Sequence, residues 1–331
     1  MLFFIKLIKM SFYNRMSKAY FEILRPGINS TLQDLGRNNM NHIGIPFSGA
    51  MDARRYLISN QLVSNNLNEV SLEFAYQGPL LKLKYGKVLC SITGNVTFKI
   101  IRKNNDIEEG YCYQTFVLDS DDQIDIISTN KSVYGYFSIS GGFVGDNFWG
   151  SCSTNTRAKI GSNDGKKFSI NEKIFLKQNK SIFNKKKLDY LNSKIEYIRV
   201  LKGTNYNYFS DEAKKKFFGN EFVITKLTDR MGMRLEGPKI ENIVNTNIIS
   251  EGLIKGVIQI PTDGNPIIML SDHGTIGGYP KIGVVISADY DKLVQSTPGS
   301  KIKFKSIDLL EAENLYKLYS LETQNILNQI K

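Results

Sequence analysis

The sequence has only two histidines, His42 and His273, and three cysteines, Cys90, Cys112 and Cys152. Two isolated histidines and three scattered cysteines have no metal-ligand spacing, which argues against a zinc site. An odd cysteine count in a chain of ordinary size argues against a disulfide framework and for a reducing cytoplasm. A G-x-S-x-G turn is missing, so the elbow that exposes a hydrolase serine has no counterpart, and nothing places a base beside Ser48 or Ser153. No Walker A loop is present. Gly277-Gly278-Tyr279-Pro280-Lys281 is too short and carries proline where a phosphate loop needs an N–H. Long apolar runs are also absent: the opening MLFFIKLIK is too short to span a bilayer and lacks a small-residue cleavage site. A membrane role is therefore not expected.

What is there describes an ordinary globular protein. The 331 residues are 41% hydrophobic and 23% charged, enough for one large domain or two smaller ones. The formal net charge is +11. The lysines are scattered or gathered in short runs such as Lys185-Lys186-Lys187 and Lys214-Lys215-Lys216, with no recognisable nucleic-acid module around them. No nucleic-acid partner is expected; the charge is solvated, with some steering of anionic substrates.

Strand patterns dominate. Val88, Cys90 and Ile92 alternate with polar residues, Gly94-Asn95 follows, and Val96, Phe98 and Ile100 alternate again, the pattern of a hairpin with a two-residue turn. Residues 132–140, 195–201, 221–225, 257–260, 267–270 and 301–304 also read as strands. Helices are few. Asp52 precedes one through Tyr56, Leu57 and Leu62, and Ser210 starts another that Gly219 stops. Asp308 with Glu311 forms a capping-box pattern for a third, with Leu309, Ala312, Tyr316 and Tyr319 on one face. The Lys-rich stretch 177–194 is the best linker.

Two blocks concentrate polar groups and glycine between short apolar runs. One runs from Arg25 to Asp52 (RPGINSTLQDLGRNNMNHIGIPFSGAMD). The other runs from Asp229 to Lys281 and includes DRMGMRLEGPKI and ISEGLIKGVIQIPTDGNPIIMLSDHGTIGGYPKIG. With GSCSTN at Gly150–Asn155, these blocks resemble the family of the 5-oxoprolinase C subunit over about residues 21–304. This family is also known as the Kip antagonist or allophanate hydrolase subunit 2 family, and forms the second half of the biotin-dependent carboxyltransferase domain of urea carboxylase. Two positions depart from its usual QTTGGYPK: Gly274 stands for the glutamine and Ile276 for the second threonine.

The resemblance implies a mainly β protein with two β-rich, barrel-like subdomains, about 17–190 and 195–306, the second cyclophilin-like. Residues 307–331 would form a C-terminal helix, packed outside or frayed, and 1–16 a disordered extension or an over-called start. The implied activity is ATP-dependent opening of 5-oxo-L-proline to L-glutamate in the cytoplasm. ATP and magnesium would be the cofactors. The partners would be the sister B subunit, of related, Kip inhibitor-like fold, and the A subunit. The rival readings are a carboxyltransferase component, which would need biotin on separate chains, and a non-catalytic antagonist of the sister protein.

Arginine binds carboxylate or phosphate through a planar fork, and lysine can neutralise a developing oxyanion. The expected catalytic set is Asp272, Lys281 and Arg230, with Asp272 as base or magnesium ligand. Arg234, Gln259, Thr275, Tyr279, Gly277 and Gly278 would bind substrate, with Ser48 and Asp52 as contributors from the first half. Alanine at Arg230, Asp272 or Lys281 would abolish activity and leave folding intact. His273 reads as a structural histidine first, and Asp52 as a helix cap.

Overall fold

The computed structural model describes residues 16–177, 183–189, 196–243 and 247–330. The expected N-terminal extension lies almost wholly outside these residues, as do parts of the expected linker. Those described within Met1–Leu35, Arg55–Tyr190 and Leu327–Lys331 form one compact unit, and those within Gly36–Arg54 and Leu191–Ile326 form another. The division thus differs from a simple cut near residue 190. The early block Gly36–Arg54 belongs with the second unit, and so does most of the C-terminal helix.

The first unit consists of two antiparallel sheets. One runs in the order Lys173–Lys177, Met16–Arg25, Leu80–Lys84, Gln123–Ser128, Thr97–Ile101, Ile107–Glu109. The other runs Asn29–Gln33, Ser71–Ala75, Tyr134–Ile139, Lys87–Thr93, Thr115–Asp119. Alternating side chains from both, including Phe21, Leu83, Phe98 and Ile126 from one and Phe74, Cys90, Ile92 and Phe137 from the other, fill a single hydrophobic core. The predicted hairpin at Gly94-Asn95 is not a hairpin. Lys87–Thr93 and Thr97–Ile101 lie in different sheets, and the chain crosses between them at Gly94. Both strands face the same core, so their alternation is real although they do not pair. Gly94 has φ +125°, and a Cβ there would crowd the backbone of Tyr134 and Gly135. Cys90, Cys112 and Cys152, all in this unit, are free thiols.

The second unit is built on a closed seven-stranded barrel. Its order is Ile198–Lys202, Lys281–Val285, Val257–Gln259, Ile267–Met269, Gly232–Glu236, Glu221–Ile224, Lys301–Ser306, and a parallel pairing of the last with the first closes it. Val200, Phe222, Met233, Ile258, Ile268, Ile282 and Phe304 are buried.

The described residues include four α-helices: α1 (Ala53–Leu62), α2 (Asp211–Gly219), α3 (Ser287–Leu293) and α4 (Leu309–Gln329). Ser210 caps α2 by accepting from the Ala213 N–H, and Phe217 on that helix stacks on Phe304 at 4.6 Å. Helix α3 escaped the sequence reading because four of its seven residues are polar or charged. The Asp308 carboxylate accepts from the Glu311 N–H at the start of α4, as the capping pattern predicts. The buried face of α4 differs from the predicted one. Ala312 packs against Ile286, Ala288 and Ile307 with Leu315 and Tyr319 beside it, while Leu309 and Tyr316 are exposed. None of the described helices is long and apolar enough to cross a membrane.

Asp289 fixes α3 to the barrel. Its fully buried carboxylate accepts from the Arg199 backbone N–H (2.8 Å) and Nε (2.9 Å) and also binds Nη2. Charge-assisted hydrogen bonds of this kind contribute about 1.5–3 kcal/mol. Asp289→Ala is expected to lower the unfolding free energy by about 2–3 kcal/mol, measured as a reduced urea midpoint of the full chain.

Candidate functional site

The site of the second unit starts from two elements far apart in sequence. Gly36 has φ +93°, and a Cβ there would collide with the Phe47 ring; the next N–H, of Arg37, donates to the Phe47 carbonyl at 2.8 Å. Ser48 then adopts φ +60°, a left-handed conformation that costs a non-glycine residue on the order of 1 kcal/mol. Its N–H donates to the Ser271 carbonyl at 2.9 Å, which ties the early block to the loop after the strand Ile267–Met269. Strain held in this way fixes the position of Phe47 and Gly49.

Arg230 and Asp272 are the centre of the arrangement. Nε donates to Oδ2 at 2.9 Å and Nη2 to Oδ1 at 3.0 Å, the fork-to-fork geometry of a bidentate pair. Nη2 also donates to the Gly49 carbonyl at 2.7 Å, and the Asp272 N–H donates to the Arg230 carbonyl at 2.8 Å. Both side chains are nearly inaccessible, at 7% and 4% exposure. One guanidinium therefore joins the turn before Gly232–Glu236, the loop at Asp272 and the early block.

His273 follows directly. Its Nδ1 lies 2.6 Å from the Gly274 carbonyl, which can only accept, so Nδ1 carries the proton and Nε2 carries a lone pair. Burial holds its pKa below the ordinary 6.5. Beside it, Ser271 Oγ and Tyr290 OH share a hydrogen bond of 3.3 Å, and burial pushes the Tyr290 phenol above its usual range.

A second polar cluster surrounds Asp291 on α3. Its carboxylate accepts from the Ala53 (3.1 Å) and Arg54 (2.9 Å) N–H groups, the first of α1, and from the Tyr319 hydroxyl. Arg54 lies over the Tyr319 ring at 4.1 Å and donates to Thr323 Oγ1 and the Tyr319 carbonyl. Asp52 Oδ2 accepts from Gln295 Nε2 at 2.9 Å. Burial first, and then the charge of Asp52, raise the Asp291 pKa.

The remaining expected residues form a third group. Gln259 and Lys281 face each other across adjacent strands, and Gln259 Nε2 donates to the Tyr279 carbonyl at 3.1 Å. Lys281, only 3% exposed, donates through Nζ to Glu251 Oε2 at 2.8 Å, and that bond leads the causes holding the Glu251 pKa below the usual carboxylate range. Gly277 pairs with Glu251 in a two-stranded sheet, and a Cβ on it would strike Gln259. The Gly278 carbonyl accepts from the Ile248 N–H and that of Thr275 from the Leu253 N–H.

The arginine–lysine clamp read from the sequence does not assemble. Arg230 is spent on Asp272, Lys281 on Glu251, and Arg234 is exposed on its strand. Arg230 and Lys281 each sit against a carboxylate of the same unit, because burying either charge alone would cost several kcal/mol. In the first unit the GSCSTN stretch does similar structural work. Asp34 accepts from Ser151 Oγ, Ser153 Oγ and the Cys152 N–H at 2.5–2.6 Å. Sequence reasoning missed Asp291, Tyr290, Glu251, Tyr319 and Lys255. The aspartates of SADYDKL carry no periodic signal, and Lys255 looks like one more surface lysine of a basic chain.

Comparison with known proteins places these features in a family. Residues 43–306 match the carboxyltransferase domain, subdomain A and B. The 5-oxoprolinase C subunit of Haemophilus influenzae is 30% identical over 89% of this chain and 93% of its own length. That of Escherichia coli is 27% identical over 88% and 92%. The urea amidolyase of Saccharomyces cerevisiae is 26% identical over 89% of this chain but 17% of its own. The fold matches the crystal structure of K. lactis urea amidolyase with a TM-score of 0.83 and 24% identity, over 93% of this chain and 20% of that one. The structure of Kluyveromyces lactis urea carboxylase gives the same score and identity over 93% and 29%. The chain thus spans less than a third of either solved protein.

Two outcomes follow from the geometry. Asp272→Ala leaves a buried guanidinium without its carboxylate and is expected to cost about 3–5 kcal/mol, whereas Arg234→Ala, at an exposed position, stays within about 0.5 kcal/mol. Urea unfolding of the two variants measures the contrast. The second concerns pH. His273 is held neutral when folded, so as pH falls below 6.5 the unfolded chain takes up a proton that the folded chain refuses. Stability should therefore decline from pH 6.5 down towards the folded-state pKa, and His273→Gln should flatten that decline in urea midpoints collected between pH 7.5 and 5.5.

Proposed function

The chain belongs to the carboxyltransferase family of subdomains A and B, and from that premise we propose that it is the C subunit of an ATP-dependent 5-oxoprolinase. In that role it opens 5-oxo-L-proline to L-glutamate together with the A and B subunits. The observation that carries this reading is the likeness to two relatives named as the 5-oxoprolinase C subunit, 30% and 27% identical over 89% and 88% of this chain. The two relatives named as the 5-oxoprolinase C subunit are matched over 93% and 92% of their chains, the urea amidolyase of yeast over 17%.

The chemistry asked of such an enzyme is the cleavage of a lactam whose carbonyl is deactivated by amide resonance. This chain offers a neutral imidazole, His273, whose Nε2 lone pair can hold or take a proton. The Arg230–Asp272 fork positions it, since Asp272 is its neighbour in the chain and cannot shift without breaking two charge-assisted bonds. The protein residues do not fit a magnesium–nucleotide site within this chain. Both oxygens of Asp272 face the Arg230 guanidinium, and Lys281 is held by Glu251. Among the described residues, no group of three or more His, Cys, Asp or Glu is gathered for a metal. Asp272 as a magnesium ligand is therefore withdrawn, and nucleotide handling is assigned to the assembled complex.

Purified chain combined with the A and B subunits is expected to release glutamate from 5-oxo-L-proline only when ATP is present. No release with all partners present would overturn the reading. ATP-dependent carboxylation of an amide in the presence of a biotinylated partner would replace it with carboxyl transfer.

A further inference from the structure

Lys255 occupies the turn before the strand Val257–Gln259. The turn is rigid. Gly256, at φ +88°, donates its N–H to the Met269 carbonyl and accepts from the Val285 N–H, both at 2.8 Å. From there the ammonium lies 4.3 Å from the centre of the Tyr290 ring and 5.6 Å from that of Phe47. Phe47 comes from the early block that Ser48 and Gly49 fasten down, and Tyr290 from α3.

The charge balance around this ammonium differs from that around the unit's ion-paired cations. Arg230, Lys281 and Arg199 each have a carboxylate within salt-bridge distance; Lys255, half-buried, has none among the described residues. Asp291 is its attractive neighbour, but that carboxylate already accepts from two backbone N–H groups and the Tyr319 hydroxyl. Arg230 repels it, and its own charge acts on His273. Aromatic faces stabilise a cation but accept no conventional hydrogen bond, so the three N–H donors of Lys255 are left for something else. Burial accordingly holds its pKa below 10.5.

We propose that Lys255 is the anion-binding residue of this unit and takes the carboxylate of a small planar substrate between Phe47 and Tyr290. A single negative charge suits the place. A phosphate dianion would set two charges near the Asp291 carboxylate, whereas one carboxylate is matched by one ammonium, and the two rings provide apolar contact for a small ring. The role deepens the 5-oxoprolinase reading, whose substrate carries such a carboxylate, and rests on that reading only for the identity of the acid. Bicarbonate offers the same chemistry from another source.

The test is competitive labelling of the wild-type full chain with trace 1-fluoro-2,4-dinitrobenzene, read peptide by peptide by mass spectrometry. Graded 5-oxo-L-proline should lower the reactivity of Lys255 severalfold and leave Lys186 unchanged. 2-Pyrrolidinone, the same lactam without its carboxylate, should have no such effect. Protection by bicarbonate alone would uphold the anion site while removing its support for the 5-oxoprolinase reading. Unchanged labelling of Lys255 with both anions, or equal protection by 2-pyrrolidinone, would overturn the proposal even if the assembled enzyme turns over. In that enzyme Lys255→Met, which keeps the stem, should raise KM for 5-oxo-L-proline at least tenfold with a smaller change in kcat, and Lys255→Arg should recover part of it. An unchanged KM in Lys255→Met would also overturn it.

Discussion

The Arg230–Asp272 fork is the interaction on which the second unit's site depends. It joins the early block at Gly49 to two segments that the pairing of Gly232–Glu236 with Ile267–Met269 already sets side by side, the turn before Gly232 and the loop carrying His273. A buried pair of this kind contributes little net stability, because desolvation of both partners offsets their attraction. Its value is geometric. With both ends committed, the imidazole of His273 and the ring of Phe47 have fixed places, and the strained Ser48 is held in its left-handed conformation.

The same economy of charge runs through the unit. Asp289 takes Arg199, Glu251 takes Lys281, and Asp291 takes two helix N–H groups and a phenol. These pairs explain why a residue inventory overstates the cationic character of the site. Arg230 and Lys281 look like free donors in the sequence because the carboxylates that consume them are 42 and 30 positions away. Composition says that charges are present; only the fold says which are already neutralised.

Legibility follows the range of the interaction. Strands with strict alternation and helices with a local cap, such as Ser210 and Asp308, were readable because their determinants lie within a few residues. The pairing of those strands was not. Lys87–Thr93 and Thr97–Ile101 present the pattern of a hairpin, yet the sheets on which they lie are decided by Tyr134–Ile139 and Gln123–Ser128, whose register no local signal encodes. The grouping of Gly36–Arg54 with the second unit is not legible locally for the same reason, since its ties to Ser271 and Arg230 span more than 180 residues. At the site, the glycine-rich block pointed to the right stretch of chain. It could not separate Arg230, which is buried, from Arg234, which is exposed four residues on.

Lys255 shows the converse. In a chain with net charge +11, one more lysine is invisible among its fellows, and its neighbours Ile254 and Gly256 give it no motif. What distinguishes it is that its ammonium lies over two aromatic rings, Tyr290 and Phe47, with its pKa lowered by burial, while no carboxylate among the described residues lies within salt-bridge distance as one does for Arg199, Arg230 and Lys281. Desolvating an ammonium without filling its donors is disfavoured, and natural sequences tolerate such a cost mainly where a ligand relieves it. A search for function among buried charges therefore gains less from the strongest ion pairs, which are complete in themselves, than from a cation that the fold leaves to be completed.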